Sequence, residues 1–239
     1  MAKDQLTPTK NKIWLYLFFL DTLLNLFAEI THNQTLIYIS KPLLMIFLGL
    51  HFWSNRRTNR FTNLILAGLF FAFWGDTLLM FRVGAEGQTN FFLFGLGSFL
   101  LTQLCYSLAF WGYGTKTSGA IFKKPLLAIP FIAFLIGNMV VLWDGLPTAF
   151  RIPVLAYSSV ITLMAVSCCN LFYNIPTAIF KWLMVGVLLF VFSDTMIGIS
   201  SFKTKIPYSG LLIMSTYIAA QYLIVKGSLL LEGKPTLES

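Results

Sequence analysis

Two aspartates stand inside long apolar stretches of this 239-residue sequence, and they stand in similar company. Phe73-Trp74-Gly75-Asp76-Thr77-Leu78-Leu79 is echoed by Val191-Phe192-Ser193-Asp194-Thr195-Met196-Ile197. An ionisable side chain at the centre of a bilayer costs about 2.5–3.5 kcal/mol on an insertion scale, so one that is kept there usually faces a polar cavity and has a use. Two equivalent carboxyls at one depth suit paired acid and base roles. Plainer readings of the same residues stay open: each carboxyl hydrogen-bonds a neighbouring helix, or one of them pairs with Lys41.

Helical spacing gathers further groups around this pair. Gly68, Ala72 and Asp76 share one face at i, i+4, i+8, as do Gly186, Phe190, Asp194 and Gly198, so each Asp rides on a stripe where a second helix can come close. With the N-terminus on the inner side, Lys41, Asp76, Tyr157 and Asp194 each lie about 4–8 residues from the outer end of a span, roughly 6–12 Å deep. They are expected to meet in one chamber. Tyr217 and Gln221 share a face, and Ser98, Thr102 and Tyr106 form another polar stripe with Gln103 beside it, both suited to the chamber floor. Asp76 and Asp194 are therefore the candidate catalytic residues, with Lys41, Tyr106, Tyr157, Tyr217, Gln221 and Gln103 as candidate substrate-binding residues. Asp21, Asn25 and Glu29, leading to His32, form a separate stripe that suits either a cavity wall or a packing contact.

Several chemistries find no residues to carry them. His32 and His51, the two histidines, fall at opposite membrane faces, which leaves no basis for a histidine metal site or a Ser-His-Asp triad. GxSxG, GxxxxGK[ST] and GxGxxG are absent from the sequence. Cys105, Cys168 and Cys169 lie in apolar runs without CxxC spacing and read as packing residues. Neither a metal nor a cofactor is expected; acid–base work by carboxyl, phenol, ammonium and water remains.

The elements that hold these groups must be membrane helices. Apolar residues make up 57% of the chain and charged ones 11%, against about 45–50% and 25% in a soluble domain. Such a chain is too short to hide that much apolar surface from water. A ruler of about 20 residues per crossing gives eight spans, near 13–30, 36–53, 61–81, 91–113, 125–143, 150–172, 178–200 and 207–231. The expected architecture is an all-α membrane protein, an eight-helix bundle over 13–231. Short segments, 1–12 and 232–239, are expected in the cytoplasm, the second disordered.

The net charge of +8 gathers in short clusters such as Arg56, Arg57 and Arg60, or Lys116, Lys123 and Lys124. Those clusters read as topology signals and contacts to anionic lipid, not as a nucleic-acid surface. Their bias places both termini in the cytoplasm, with Arg82, Arg151, Lys203 and Lys205 on the other side. In a bacterium the chain would sit in the inner membrane. Because the two Asp motifs lie four spans apart and run the same way, a 4+4 parallel duplication is expected.

Six segments, in order, carry a resemblance: Ser40-Lys41-Pro42-Leu43-Leu44, Gly75-Asp76-Thr77-Leu78-Leu79-Met80, Gln103-Leu104-Cys105-Tyr106, Pro153-Val154-Leu155-Ala156-Tyr157, Phe192-Ser193-Asp194-Thr195-Met196-Ile197 and Thr216-Tyr217-Ile218-Ala219-Ala220-Gln221. Together they resemble the signature segments of the YhhN-like lysoplasmalogenase family over residues 40–227. The resemblance implies an eight-helix membrane hydrolase that cuts the vinyl-ether bond of lysoplasmalogens, releasing a fatty aldehyde and glycerophosphocholine or glycerophosphoethanolamine. It also implies that Asp76 and Asp194 are the catalytic pair, and that the partners are a lysophospholipid substrate and membrane lipids. Phe73, Trp74 and Phe192 would supply the apolar surroundings for an acid that protonates carbon. Lys41 suits either the lipid phosphate or the ionised Asp. Spacing and composition alone leave a proton-coupled transporter about as well supported as an enzyme, with a lipid-binding or structural protein behind them.

Overall fold

The computed structural model describes residues 12–81, 88–114 and 119–232. The expected terminal segments, apart from Lys12 and Glu232, and the loop cations Arg82 and Lys116 lie outside the described residues. Eight helical stretches are long and apolar enough to cross a membrane. They are α1 (Ile13–Ile30), α2 (Gln34–Asn55), α3 (Arg60–Met80), α4 (Gln88–Gly114), a 3-10 turn Pro125–Ala128 running into α6 (Ile129–Trp143), α7 (Thr148–Cys169), α8 (Thr177–Phe202) and α9 (Ser209–Glu232). A single short turn, α5 (Ala120–Lys123), precedes the fifth span.

Local sequence explains where these helices begin. The Asn33 side chain accepts from the Leu36 N–H at 3.2 Å. Asn59 and Thr62 form a reciprocal capping box, with Thr62 N–H donating to Asn59 Oδ1 at 2.9 Å and Asn59 N–H to Thr62 Oγ1 at 3.1 Å. Pro125 opens the fifth span, and Pro147 and Pro176 directly precede α7 and α8, where a missing N–H costs nothing. Two further prolines, Pro42 and Pro153, lie inside α2 and α7. Each leaves the carbonyl four residues earlier, that of Tyr38 or Ala149, without its usual donor; Pro42 directly follows Lys41 and Pro153 lies one turn ahead of Tyr157.

One boundary differs from the sequence expectation for a tertiary reason. α7 ends at Cys169, not near 172, because Asn170 turns toward α5. Its backbone carbonyl accepts from Ala120 N–H at 3.1 Å and its side-chain oxygen accepts from Ile121 N–H at 3.0 Å. Gly119 is required at that contact: a Cβ there would lie 2.1 Å from Asn170 Oδ1.

Packing centres on two close helix pairs, α3 with α4 and α8 with α9. Close approach has a visible cause in both. At Gly68 a Cβ would lie 2.2 Å from the Tyr106 ring, and at Gly186 it would lie 3.0 Å from the Ala220 carbonyl and from Ile224. Thr102 Oγ1 also donates to the Gly68 carbonyl at 3.1 Å, fastening α4 to α3. α9 further touches α1, α2 and α3, while α4 touches α7, so the two close pairs are drawn into one bundle. α6 is the outlier: it packs on α7 and α8 and turns Ile129, Ile132, Ile136 and Val140 outward.

Candidate active site

Asp76 on α3 and Asp194 on α8 are 2% and 8% exposed. Both point inward because their small stripe partners, Gly68 with Ala72 and Gly186, lie on the buried faces of the same helices. Each carboxyl is within electrostatic reach of the other. Their hydrogen-bond partners come from different helices and differ in kind.

Asp194 Oδ2 accepts two bonds. One comes from the Tyr157 hydroxyl on α7 and one, at 3.0 Å, from Gln103 Nε2 on α4. Asp76 Oδ2 accepts from the Tyr217 hydroxyl on α9 at 2.7 Å. Behind Tyr217 runs a relay: Gln221 Nε2 donates to the Tyr217 hydroxyl at 3.3 Å, and the Tyr106 hydroxyl donates to Gln221 Oε1 at 2.8 Å. Lys41 on α2 is close enough for its charge to act on Asp76. All eight candidate residues thus fall into two connected clusters, one around each carboxyl. Buried polar networks of this kind are stable only when their members are satisfied, and the apolar setting strengthens each bond.

The clusters differ in access. A cavity of about 50 Å³ opens beside Asp194, walled by Phe92, Phe99, Phe134 and Leu142 together with Tyr157 and Asn138. At about 10–15 Å³ per water, it has room for several. Of the candidate residues, only Asp194 and Tyr157 line it. Lys41, Asp76 and Tyr217, expected in the same chamber, do not line this cavity and gather beside it. Part of the cavity wall is Phe99, whose ring meets Tyr217 edge-on at 5.8 Å and occupies the space a Cβ on Gly75 would need.

The aromatic surroundings also differ from expectation. Trp74 and Phe192 are 43% and 42% exposed and turn away from the carboxyls. Each lies two residues before its Asp, about 200° around the helix, so it must point to the opposite side. Phe99 and Phe190, in edge-on contact at 6.3 Å, provide the apolar packing instead.

The first-helix stripe is an interhelical contact. Asn25 donates to Ser40 Oγ at 2.9 Å, and Glu29 occupies the space a Cβ on Gly210 would fill. Asp21 is buried, and its Oδ2 has no hydrogen-bond partner. His32, in left-handed backbone, stacks on Tyr208 at 6.4 Å. None of the four lines the cavity.

Sequence reading passed over Asn138, which donates to Ser158 Oγ at 3.1 Å and lines the cavity with it. A signal was available. Ser40, Gly68, Asp76 and Gln103 are spaced as Ser158, Gly186, Asp194 and Gln221 are, and each serine receives an asparagine amide from the preceding spanning helix.

The YhhN family profile matches residues 36–228, most of the chain and every residue of both clusters. The chain belongs to the YhhN family. It is 29% identical over 185 residues to bovine "lysoplasmalogenase TMEM86A", covering 76% of this chain and 71% of the relative. To the lysoplasmalogenase of Mycobacterium bovis it is 32% identical over 137 residues, 57% of this chain and half the length of that relative. A third YhhN-family relative, the uncharacterized membrane protein YhhN of Escherichia coli, is 24% identical over 79% of this chain and 85% of its own. No solved structure matches.

Proposed function

We propose that this YhhN-family chain is a lysoplasmalogenase: a membrane hydrolase that cleaves the vinyl-ether bond of an alkenyl lysophospholipid to a fatty aldehyde and the glycerophospho-base. The observation that carries this reading is the unequal placement of two buried carboxyls, one on a cavity and one off it beside a lysine. Distant relatives named lysoplasmalogenase support it.

Vinyl-ether hydrolysis begins with protonation of the β-carbon, which leaves an oxocarbenium ion. Asp194, on the cavity, is the acid that delivers this proton. Tyr157 and Gln103 hold its Oδ2, so the carboxyl is fixed in direction while it changes charge. In this scheme Asp76 acts in its ionised form, the form the nearby Lys41 charge favours, and offsets the positive charge that forms on the substrate. The Asp194 carboxylate then takes a proton from water as the water adds to the cation. The resulting hemiacetal breaks its bond to the glycerol oxygen, giving aldehyde and alcohol. One water is consumed and Asp194 regains its proton. No step calls for a metal, and chelation should leave turnover unchanged.

The remaining features fit an eight-helix domain over 13–231 with both termini in the cytoplasm, where the catalytic level lies toward the outer leaflet. A 4+4 duplication is part of the proposal. What supports it is the repeated spacing of Ser, Gly, Asp and Gln, the matching close pairs α3/α4 and α8/α9, and the matching Asn-to-Ser bonds.

The decisive experiment incubates detergent-purified protein with an alkenyl lysophospholipid and, separately, its saturated alkyl analogue. Aldehyde from the first alone is expected. Aldehyde from neither, with proton-coupled flux in proteoliposomes, would replace the hydrolase by a transporter.

A further inference from the structure

Among the described residues, the cavity beside Asp194 is lined by one acid and no cation, and its walls are mostly apolar. The phosphate of a lysophospholipid cannot follow the ether into such a space. It would shed its water without gaining a partner and would face a carboxyl. It must be held outside, at a distance that the substrate's own covalent length allows. Lys41 does not provide that hold, since it is off the cavity and its charge acts on Asp76.

From the β-carbon that Asp194 protonates to the phosphorus there are seven bonds, about 9 Å when extended at roughly 1.25 Å per bond. Tyr157, which bonds to Asp194, marks the level of the acid on α7. Arg151 stands six residues nearer the start of the same helix, about 9 Å along its axis. It precedes the cavity residues Val154 and Ser158 by three and seven positions, so it shares their side of α7 and lies beyond the cavity wall. The two lengths agree.

The guanidinium is positioned but not engaged. Its carbon lies 4.9 Å from the centre of the Trp143 ring on α6, its Nε is buried without a partner, and among the described residues Arg151 makes no hydrogen bond or ion pair. The acid of the α6–α7 turn, Asp144, is exposed and does not pair with it. A second positive charge borders the same rim: a Cβ on Gly145 would lie 1.9 Å from the Phe202 carbonyl, so the turn rests on the end of α8, where exposed Lys203 follows the cavity residue Phe202. Phe92, Phe150 and Phe202, in mutual ring contact at 5.8, 5.7 and 5.4 Å, add an apolar layer at this end. We propose that Arg151, stacked on Trp143 at the α6–α7 end of the cavity, binds the substrate's phosphate and so sets the depth at which the vinyl ether meets Asp194. Its planar fork takes two phosphate oxygens at once, which a lysine does not. The matching of lengths rests on the vinyl-ether reading of Asp194. It adds a substrate-binding residue outside both carboxyl clusters.

The test gives the full-length protein, in one detergent, an alkenyl lysophosphoethanolamine and the alkenylglycerol of equal chain length that lacks the phosphate. Wild type should favour the phosphate substrate in kcat/KM by about 10- to 100-fold, the range for hydrogen bonds to a charged group. Arg151→Gln should remove most of that preference through the KM of the phosphate substrate, and Arg151→Lys should restore part of it. Equal use of both substrates by wild type overturns the assignment, whatever the variants do to folding. So does an Arg151→Gln protein that slows both substrates alike, because that marks packing or contact with bulk lipid. A binding arm separates this assignment from the hydrolase reading. The saturated alkyl lysophosphoethanolamine should bind wild type about 10- to 100-fold more tightly than Arg151→Gln, and the matching alkylglycerol should not discriminate. That difference without any aldehyde release would sink the vinyl-ether reading and keep the phosphate site. No such difference sinks the phosphate site, with or without aldehyde.

Discussion

The two carboxyl clusters share a residue type and a similar sequence motif, yet their surroundings differ. Asp194 receives two donors on one oxygen and borders a cavity. Asp76 receives one donor, backed by a relay through Gln221 to Tyr106, and lies beside a lysine with no part in the cavity wall. In a low-dielectric interior such neighbours, more than the side chain itself, decide which of two acids meets substrate and which holds charge. Similar motifs therefore need not mean identical surroundings.

Ways to break this comparison follow from its parts. The largest effect belongs to Asp194→Asn, which should lower kcat for aldehyde release by about 10³-fold or more, as expected for a general acid. Asp76→Asn should cost about 10²-fold, since a neutral amide keeps the shape but loses the charge. Equal losses in single-turnover assays would mean the clusters are interchangeable. Next come the phenols. Tyr157→Phe should reduce kcat by about tenfold through loss of the hydrogen bond that orients the acid, and Tyr217→Phe by less, measured with the same substrate.

Lys41→Met sharpens the comparison further. It should slow wild type by about tenfold but add little to Asp76→Asn, because the lysine acts through Asp76; a double-mutant cycle on kcat reads this coupling. Fully additive losses would assign Lys41 to the lipid phosphate. The smallest catalytic change is expected for Tyr106→Phe, at the far end of the relay. Leaving Gln221 Oε1 unpaired should lower thermal stability by about 1–2 kcal/mol with kcat nearly intact, as seen by melting in detergent alongside turnover.

The spans, the inward faces and all eight polar residues of the two clusters were legible in the sequence. The 3.6-residue period says which side of a helix Asp76 or Tyr217 occupies, and the length of apolar runs sets the span edges to within a few residues. Partnership was not legible. That Gln103 on α4 reaches Asp194 while Tyr217 on α9 reaches Asp76 depends on which helices are neighbours, and periodicity within one helix carries no such information. The same gap explains Trp74 and Phe192: adjacency in sequence suggested surroundings, whereas rotation along the helix sends them outward. α5 was missed because its order comes from Asn170, some fifty residues away, and not from its own four residues.

One feature of the Asp76 cluster bears on how the protein is made. Tyr217 and Gln221 belong to α9, which follows every other described helix in the chain, and without them Asp76 has neither its donor nor the relay behind it. A chain cut short anywhere before α9 would present Asp76 unclamped within an unfinished bundle. Asp76 gains its partners only when α9 has joined α3, so a chain lacking α9 should fail to assemble the proposed acid pair.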